Sequence, residues 1–235
     1  MLTLADIDGQ SLSSVIDDFM ICRVCSIVDR ERSRIVANSP CPACHKPAGT
    51  ARLYFGLNIG ILIDLVQQSY HSATPTEEIL GPQSSDVGVV LFFCTLREAL
   101  LNNLFDYLFL AERLSDRIAK KLLDDNKVAR QKFALFGVLV GKSWAEAVQE
   151  ASSHEGVDFR SISKLMQDAS DIRNRFLHEA SGWGVARDFA TECINSTFTL
   201  LHLFVSLHNL YVQPRLSEAA FPSDPADGGN CVTAS

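Results

Sequence analysis

Four cysteines in two close pairs are the residues of this sequence best suited to chemistry. Each pair has two residues between its members, and fifteen residues lie between the pairs, which consist of Cys22, Cys25, Cys41 and Cys44. A two-residue spacing lets a tight turn direct both thiolates at one ion, and two such turns complete a tetrahedral site. The pattern predicts a structural Zn²⁺ site in a zinc ribbon. A site closed by four thiolates has no open position for water, so we expect no catalytic role for this ion.

Two further interpretations concern the same segment. His45 follows Cys44 directly and is a fifth candidate ligand, but with four thiolates present we expect it to be a neighbour of the site. The alternative to a metal site is a pair of unrelated cysteine turns, one of them redox active. The sequence disfavours that alternative because no thioredoxin-like βαβ pattern surrounds either pair. Cys94 and Cys193 fall in apolar helical segments and are predicted to be buried packing residues.

A second polar feature is the string Arg173-Asn-Arg-Phe-Leu-His178. Apolar residues precede it with the spacing of one helical face, at positions 159, 162, 165, 166, 169, 172 and 176. Arg173 lies at the border of this apolar stripe. His178 projects almost opposite the stripe if the helix continues that far, so it is not placed to be a core histidine. Geometry alone leaves open an exposed histidine without a role.

The helical context of this string resembles a known superfamily. The string lies at the end of a predicted helix within an all-helical segment, residues 87–212. It consists of an arginine and a histidine separated by four residues, the first of which is an asparagine. This arrangement resembles the signature of the HEPN superfamily, and the upstream long helix and the turn Gly141-Lys-Ser-Trp144 are also similar. The resemblance implies a metal-independent endoribonuclease of toxin or antiviral defence type. It would act on RNA as a homodimer whose two motifs line one cleft, and it would leave a 2′,3′-cyclic phosphate.

The resemblance also implies residue roles. His178 would be the general base or acid acting on the ribose 2′-hydroxyl and the leaving oxygen. Arg173 would hold the scissile phosphate, and Asn174 would position one or the other by hydrogen bonding. Some members carry an acidic residue from the first long helix into the cleft, for which Glu98 is the candidate, although a glutamate beside Arg97 is more commonly a surface charge. Because the arginine and histidine lie about 140° apart on a helix, either the helix unwinds before the histidine or two copies complete each other's site.

Two departures keep an alternative function open. Ala180 occupies the place where one subgroup has a tyrosine modified by a nucleotidyltransferase antitoxin, so silencing by that route is not supported, and any antitoxin or other protein partner is left open. Some superfamily members are non-catalytic, so the alternative is a zinc-ribbon and helical dimerisation adaptor that binds protein or nucleic acid. A DNA-binding regulator is disfavoured by the net charge of −7 and by the lack of a basic recognition helix.

The elements that must position these residues are mainly α-helical. We predict a HEPN-like helical bundle preceded by a small zinc-ribbon module. The expected divisions are a ribbon at 1–50, a helix and linker at 51–86, the helical domain at 87–212, and a disordered tail at 213–235. Individual helices are expected at 52–70, 87–112, 116–124, 128–140, after a Ser143 cap, from Phe159, and at 186–212.

The sequence also predicts a compartment. Its first residues lack a basic region followed by an apolar run, so no signal peptide is expected. Seven cysteines, four of them in tight pairs, suit a reducing compartment better than a disulfide framework. No uninterrupted apolar stretch reaches the roughly 20 residues of a membrane span. We therefore expect a cytoplasmic protein without membrane contact.

Overall fold

The computed structural model describes residues 19–29, 35, 39–46, 52–72, 84–179 and 185–218. This part of the chain is mainly α-helical and carries a small region in which four cysteines lie close together, which confirms the predicted fold class. Within the predicted helix and linker at 51–86, residues 73–83 lie outside the described part of the chain, and so does most of the predicted tail, from residue 219.

Three very short strands form the sheet next to the cysteines. They are β1 (Met20–Ile21), β2 (Val28–Asp29) and β3 (Arg52–Leu53). Strand β1 lies in the middle and pairs antiparallel with both neighbours, so that Met20 stands opposite Asp29 on one side and Leu53 on the other. The first pair of cysteines lies in the connection between β1 and β2.

The described helices follow one another in chain order. They are α1 (Leu57–His71), α2 (Ser84–Ala111), α3 (Asp116–Asp125), α4 (Ala129–Val140), α5 (Trp144–Glu155), α6 (Phe159–Glu179), α7 (Arg187–Asn195) and α8 (Thr197–Leu207), then a π-helical turn (His208–Val212) and α9 (Gln213–Glu218). The predicted cap of α5 is confirmed. Ser143 accepts a hydrogen bond from Glu146 N at 3.3 Å, and the Glu146 carboxylate accepts one from Ser143 N at 2.8 Å.

Helix α2 is the centre of the bundle. Helices α1, α6, α7 and α8 pack against it, and side chains on most of its circumference are buried. Its length and composition would allow it to cross a membrane, but 56% of its most apolar window is buried inside the protein, as in the core helix of a soluble protein. Cys94 on α2 and Cys193 on α7 are 1% and 0% exposed, which confirms the prediction that both are packing residues.

The N-terminal boundaries of the first two helices differ from those predicted. Helix α1 begins at Leu57 rather than at Arg52, because Arg52 and Leu53 pair with β1. Helix α2 begins at Ser84, three residues earlier than expected and inside the predicted linker. Both differences arise from local preference being overruled by pairing and packing with distant segments.

The C-terminal region differs more. The single helix expected at 186–212 is divided at Ser196 into α7 and α8, and it widens into the π-helical turn before residue 213. The prediction that helix ends before Pro214 is wrong, since Pro214 lies in α9. The helical backbone continues from the π-helical turn through Gln213 into α9, so Pro214 does not end it. The expected disorder at 213–235 is therefore wrong for residues 213–218.

Candidate functional site

The two cysteine turns share one backbone geometry. Ser26 N donates to Cys22 O at 2.9 Å, and His45 N donates to Cys41 O at 2.8 Å. Both donors have left-handed backbone angles, φ 60° at Ser26 and φ 57° at His45. In each turn the N–H of the first cysteine also donates to the carbonyl five residues later, at 2.9 and 2.8 Å. The chain has thus formed the same backbone turn twice, although the residues between the cysteines differ.

The four thiols face one another. Cys25 Sγ lies 3.7 Å from Cys41 Sγ, and Cys22 Sγ lies 4.0 Å from Cys44 Sγ. All four sulfur atoms lie within 4.8 Å of one another. A tetrahedral ion with metal–sulfur bonds of about 2.3 Å requires sulfur atoms about 3.8 Å apart. The arrangement therefore fits one metal ion, and the prediction that these cysteines come together is confirmed.

The surroundings of the sulfur atoms are those of a closed site. Cys22 and Cys41 are 0% exposed. Val24 N donates to Cys22 Sγ at 3.4 Å, a contact that favours the thiolate. Burial raises the pKa of the Cys22 and Cys25 thiols and so opposes their ionisation, which a bound cation would favour. His45 is exposed and does not belong to the cluster of ligand atoms.

The Arg173–His178 string lies on one continuous helix. Helix α6 extends through Glu179, so the expected alternative in which the helix unwinds before His178 is wrong. Five residues of helix separate the two side chains by about 140° around the axis and about 7.5 Å along it. Arg173 is half-buried and His178 is exposed. One copy of the chain therefore does not bring these side chains together.

Arg173 lies on α6, which packs against α2, and its charge acts on Cys94 of α2. Burial raises the pKa of the Cys94 thiol, while the positive charges of Arg97 and Arg173 act in the opposite direction. The guanidinium Nη2 of Arg173 donates to Asn174 Oδ1 at 3.2 Å. Its Nε is buried and has no hydrogen-bond partner among the described residues. Arg173 is thus partly removed from water, and its guanidinium contacts the side chain of Asn174.

Glu98 is fixed between two buried cations. It pairs with Arg97, which is 4% exposed, and with Lys132 Nζ at 3.4 Å. Lys132 also donates to Asn102 Oδ1 at 2.7 Å. The expectation that a glutamate beside Arg97 is a surface charge is wrong, because the Glu98 side chain is only 24% exposed.

The cation Arg97 also joins α2 to the helix that carries the string. It donates to Met166 O at 3.0 Å and to Ser170 Oγ, one turn before Arg173. Sequence reasoning missed Arg97 and Lys132 as site residues. The available signal was the presence of consecutive polar residues inside an otherwise apolar helix.

A cleft of about 520 Å³ lies beside Glu98, between the start of α1 and the middle of α2. Its polar lining comes mainly from one stripe of α2, and its lining residues include Asn58, Thr95, Glu98, Asn102, Asn103 and Asp106. Burial raises the pKa of the Asp106 carboxyl. Arg173 and His178 are not among the residues that line this cleft.

Comparison of the chain with protein-family models, with curated proteins and with solved structures finds no match.

Proposed function

We propose that the protein is a metal-independent endoribonuclease of HEPN type that cleaves RNA and leaves a 2′,3′-cyclic phosphate. The observation that supports this most directly is the state of Arg173. Its guanidinium is half-buried, its Nε has no partner among the described residues, and its bonded neighbour Asn174 is exposed. A partly desolvated guanidinium attracts a phosphate more strongly than one in bulk water.

The proposed chemistry assigns a proton transfer to His178. The ribose 2′-oxygen attacks phosphorus, the bond to the 5′-oxygen breaks, and the proton of the 2′-hydroxyl passes to a base while the leaving oxygen receives a proton from an acid. An imidazole suits either task because its ordinary pKa lies near neutrality. Arg173 would neutralise charge on the phosphate oxygens in the transition state. Asn174 would orient the phosphate or the guanidinium.

A second copy of the chain completes the proposed site. Since the helix holds Arg173 and His178 about 140° apart, one phosphate would be served by Arg173 of one protomer and the partner's His178. Leu177, next to the histidine, is 59% exposed and supplies an apolar contact for such a pairing. Glu98 would not contact the substrate. It would help to position α6, because it pairs with Arg97, which donates a hydrogen bond to Ser170 on that helix.

The proposed metal is Zn²⁺, with a structural role. Four thiolates in tetrahedral spacing are the ligand set that structural zinc prefers. The cysteine turns would serve to bind RNA or a protein partner. Reduced cysteines and this metal fit a reducing compartment such as the cytoplasm. Metal analysis of the protein purified without added metal should give one zinc per chain, and a different metal or none would contradict this assignment.

The activity is tested with RNA in Mg²⁺-free buffer containing EDTA, at a concentration that leaves the melting temperature of the protein unchanged. Arg173→Ala and His178→Ala should each lower the cleavage rate by about 10²-fold or more. Arg160→Ala and His154→Ala should cleave at the unaltered rate, because Arg160 is exposed at the start of the same helix and His154 is exposed near the end of α5. Equal cleavage by all variants, or none by the unaltered protein, would refute the proposal.

A non-catalytic adaptor is the second candidate. The observation that favours it is the separation of Arg173 from His178 within one copy. An adaptor would bind RNA or protein without cleaving RNA, and Cys41→Ser would abolish binding while Arg173→Ala would leave it intact. The cleavage assay separates the two candidates, since only the ribonuclease loses an activity on substitution of His178.

A further inference from the structure

The π-helical turn His208–Val212 and the residue after it reach the backbone of the first cysteine turn. His208 Nε2 lies 2.9 Å from Ser26 O, and a carbonyl only accepts, so Nε2 carries the proton and donates it. Gln213 Nε2 donates to Cys25 O, also at 2.9 Å. Two consecutive carbonyls of the cysteine turn are therefore held by side chains from the end of the helical bundle.

Asn209 extends this contact to the strand that follows the turn. Its Oδ1 accepts a hydrogen bond from Val28 N and its Nδ2 donates to Val28 O, both at 2.9 Å. Strand β2, which contains Val28, lies at the edge of the sheet. The carboxamide thus makes the pair of hydrogen bonds that a further strand would make, and it fixes the exit of the cysteine turn.

The widened turn explains how these side chains share one direction. In an α-helix, residues 208 and 213 would lie about 140° apart. Here Gln213 N donates to His208 O, the i to i+5 bond of a π-helix, so that Gln213 stacks nearly above His208. Single π-helical turns cost stability and recur at functional sites. In this protein the turn aligns two donors over two consecutive carbonyls.

The His208 side chain is also enclosed by the core. It is 0% exposed, and its ring contacts Tyr54 and Tyr107 edge-on, with centroids 4.7 and 5.0 Å away. Tyr54 follows β3 directly, and its N donates to Phe19 O, just before β1, at 2.9 Å. The His208 donor therefore packs against a buried tyrosine that is itself bonded to the backbone beside the sheet.

We propose that His208, Asn209 and Gln213 form the outer shell of the metal site. They hold the Cys22–Cys25 turn in the geometry that binds a tetrahedral ion. The π-helical turn and Gln213 at the start of α9 are therefore part of the metal site. Second-shell partners of this kind commonly change metal affinity by about 10- to 100-fold. The inference rests on the proposed metal site and is independent of the ribonuclease.

The test measures the affinity of the full chain for Co²⁺ and Zn²⁺ by competition with a chromophoric chelator. Gln213→Ala and Asn209→Ala should each weaken binding by about tenfold or more. Gln213→Glu should weaken it further, because a carboxylate beside Cys25 O and four thiolates repels both. Gln167→Ala is the matched control for Gln213, since Gln167 Nε2 donates to Asp171 Oδ1 at 3.0 Å on the exposed face of α6.

A second measurement separates an outer-shell role from simple packing. The melting temperature of each variant is recorded with the metal removed, together with the visible absorption of its Co²⁺ form. An outer-shell role changes affinity and the Co²⁺ spectrum while the metal-free melting temperature moves little. Unchanged affinity in Gln213→Ala and Asn209→Ala overturns the inference, whether or not the metal-free protein melts earlier. Absence of Co²⁺ and Zn²⁺ binding by the unaltered chain overturns both this inference and the proposed metal site.

Discussion

Replacing Glu98 by glutamine removes the carboxylate that pairs with both Arg97 and Lys132, while the size of the side chain is kept. The two cations are buried, with side chains 4% and 7% exposed. After the substitution each would stand in the protein interior opposite a neutral amide. We therefore expect a large loss of stability from a single change of charge.

The magnitude follows from burial. Removing one partner of a fully buried ion pair costs about 3–5 kcal/mol. The Glu98 side chain is 24% exposed, and Arg97 keeps its hydrogen bonds to α6, so the expected cost is lower, about 2–3 kcal/mol. For a chain of this size one kcal/mol shifts the melting temperature by about 2–4 °C, which gives a decrease of roughly 4–12 °C.

Lys132→Met provides the matched comparison. It removes a cation but leaves Glu98 paired with Arg97, so the expected cost is below about 1 kcal/mol. The double variant Glu98→Gln/Lys132→Met should be more stable than Glu98→Gln alone. Urea unfolding and thermal melting of the three variants measure these differences. A loss below about 1 kcal/mol in Glu98→Gln, or an equal loss in Lys132→Met, would refute the reasoning.

Further predictions concern caps, glycines and the metal. Ser143→Ala should cost about 1 kcal/mol in urea unfolding. The hydrogen bonds from Ser143 lower the pKa of Glu146 below the ordinary carboxyl value of 4.5. Part of the stability that Ser143 contributes is therefore present above pH 4.5 and is lost as the pH falls below that value. The difference in melting temperature between Ser143→Ala and the unaltered protein should narrow at about pH 3. Gly137→Ala, in mid-helix with its nearest neighbour at an ordinary 3.6 Å, should raise stability by about 0.5–1 kcal/mol. Gly141→Ala should lower stability by about 1–2 kcal/mol because φ is +80° at that position. If Gly137→Ala and Gly141→Ala changed stability in the same direction, this reasoning would be contradicted. Cys41→Ser should lower the melting temperature of the metal-loaded protein and leave that of the metal-free protein nearly unchanged.

Local signals predicted much of the fold. The pair Ser143 and Glu146 predicted the start of α5, and the stripe of apolar residues from Phe159 predicted α6. These signals succeed because capping and helical periodicity depend on residues within a few positions of one another. The cysteine pairs were predicted on the same ground, since spacing alone brings two thiols into one turn.

The parts that failed depend on distant partners. The π-helical turn cannot be predicted from its own sequence, because its side chains bind a backbone about 180 residues earlier. Arg97 and Glu98 looked like a surface pair because nothing in the neighbouring sequence reveals Ser170 or Lys132. Whether Arg173 and His178 form one site depends on a second copy of the chain, which remains a prediction.

The contact between the first cysteine turn and the π-helical turn also sets an order of assembly on the ribosome. His208 and Ser26 are 182 positions apart. At about 5–20 residues per second, the cysteine segment would emerge about 10–40 s before the donors that hold it are synthesised. During that interval the thiols can bind an ion, but the helical residues against which the cysteine turn packs have not yet been synthesised. Packing of the metal-bound cysteine turn against the helical bundle would then be among the last steps of folding. A chain interrupted before residue 208 would lack the side chains that bind this turn.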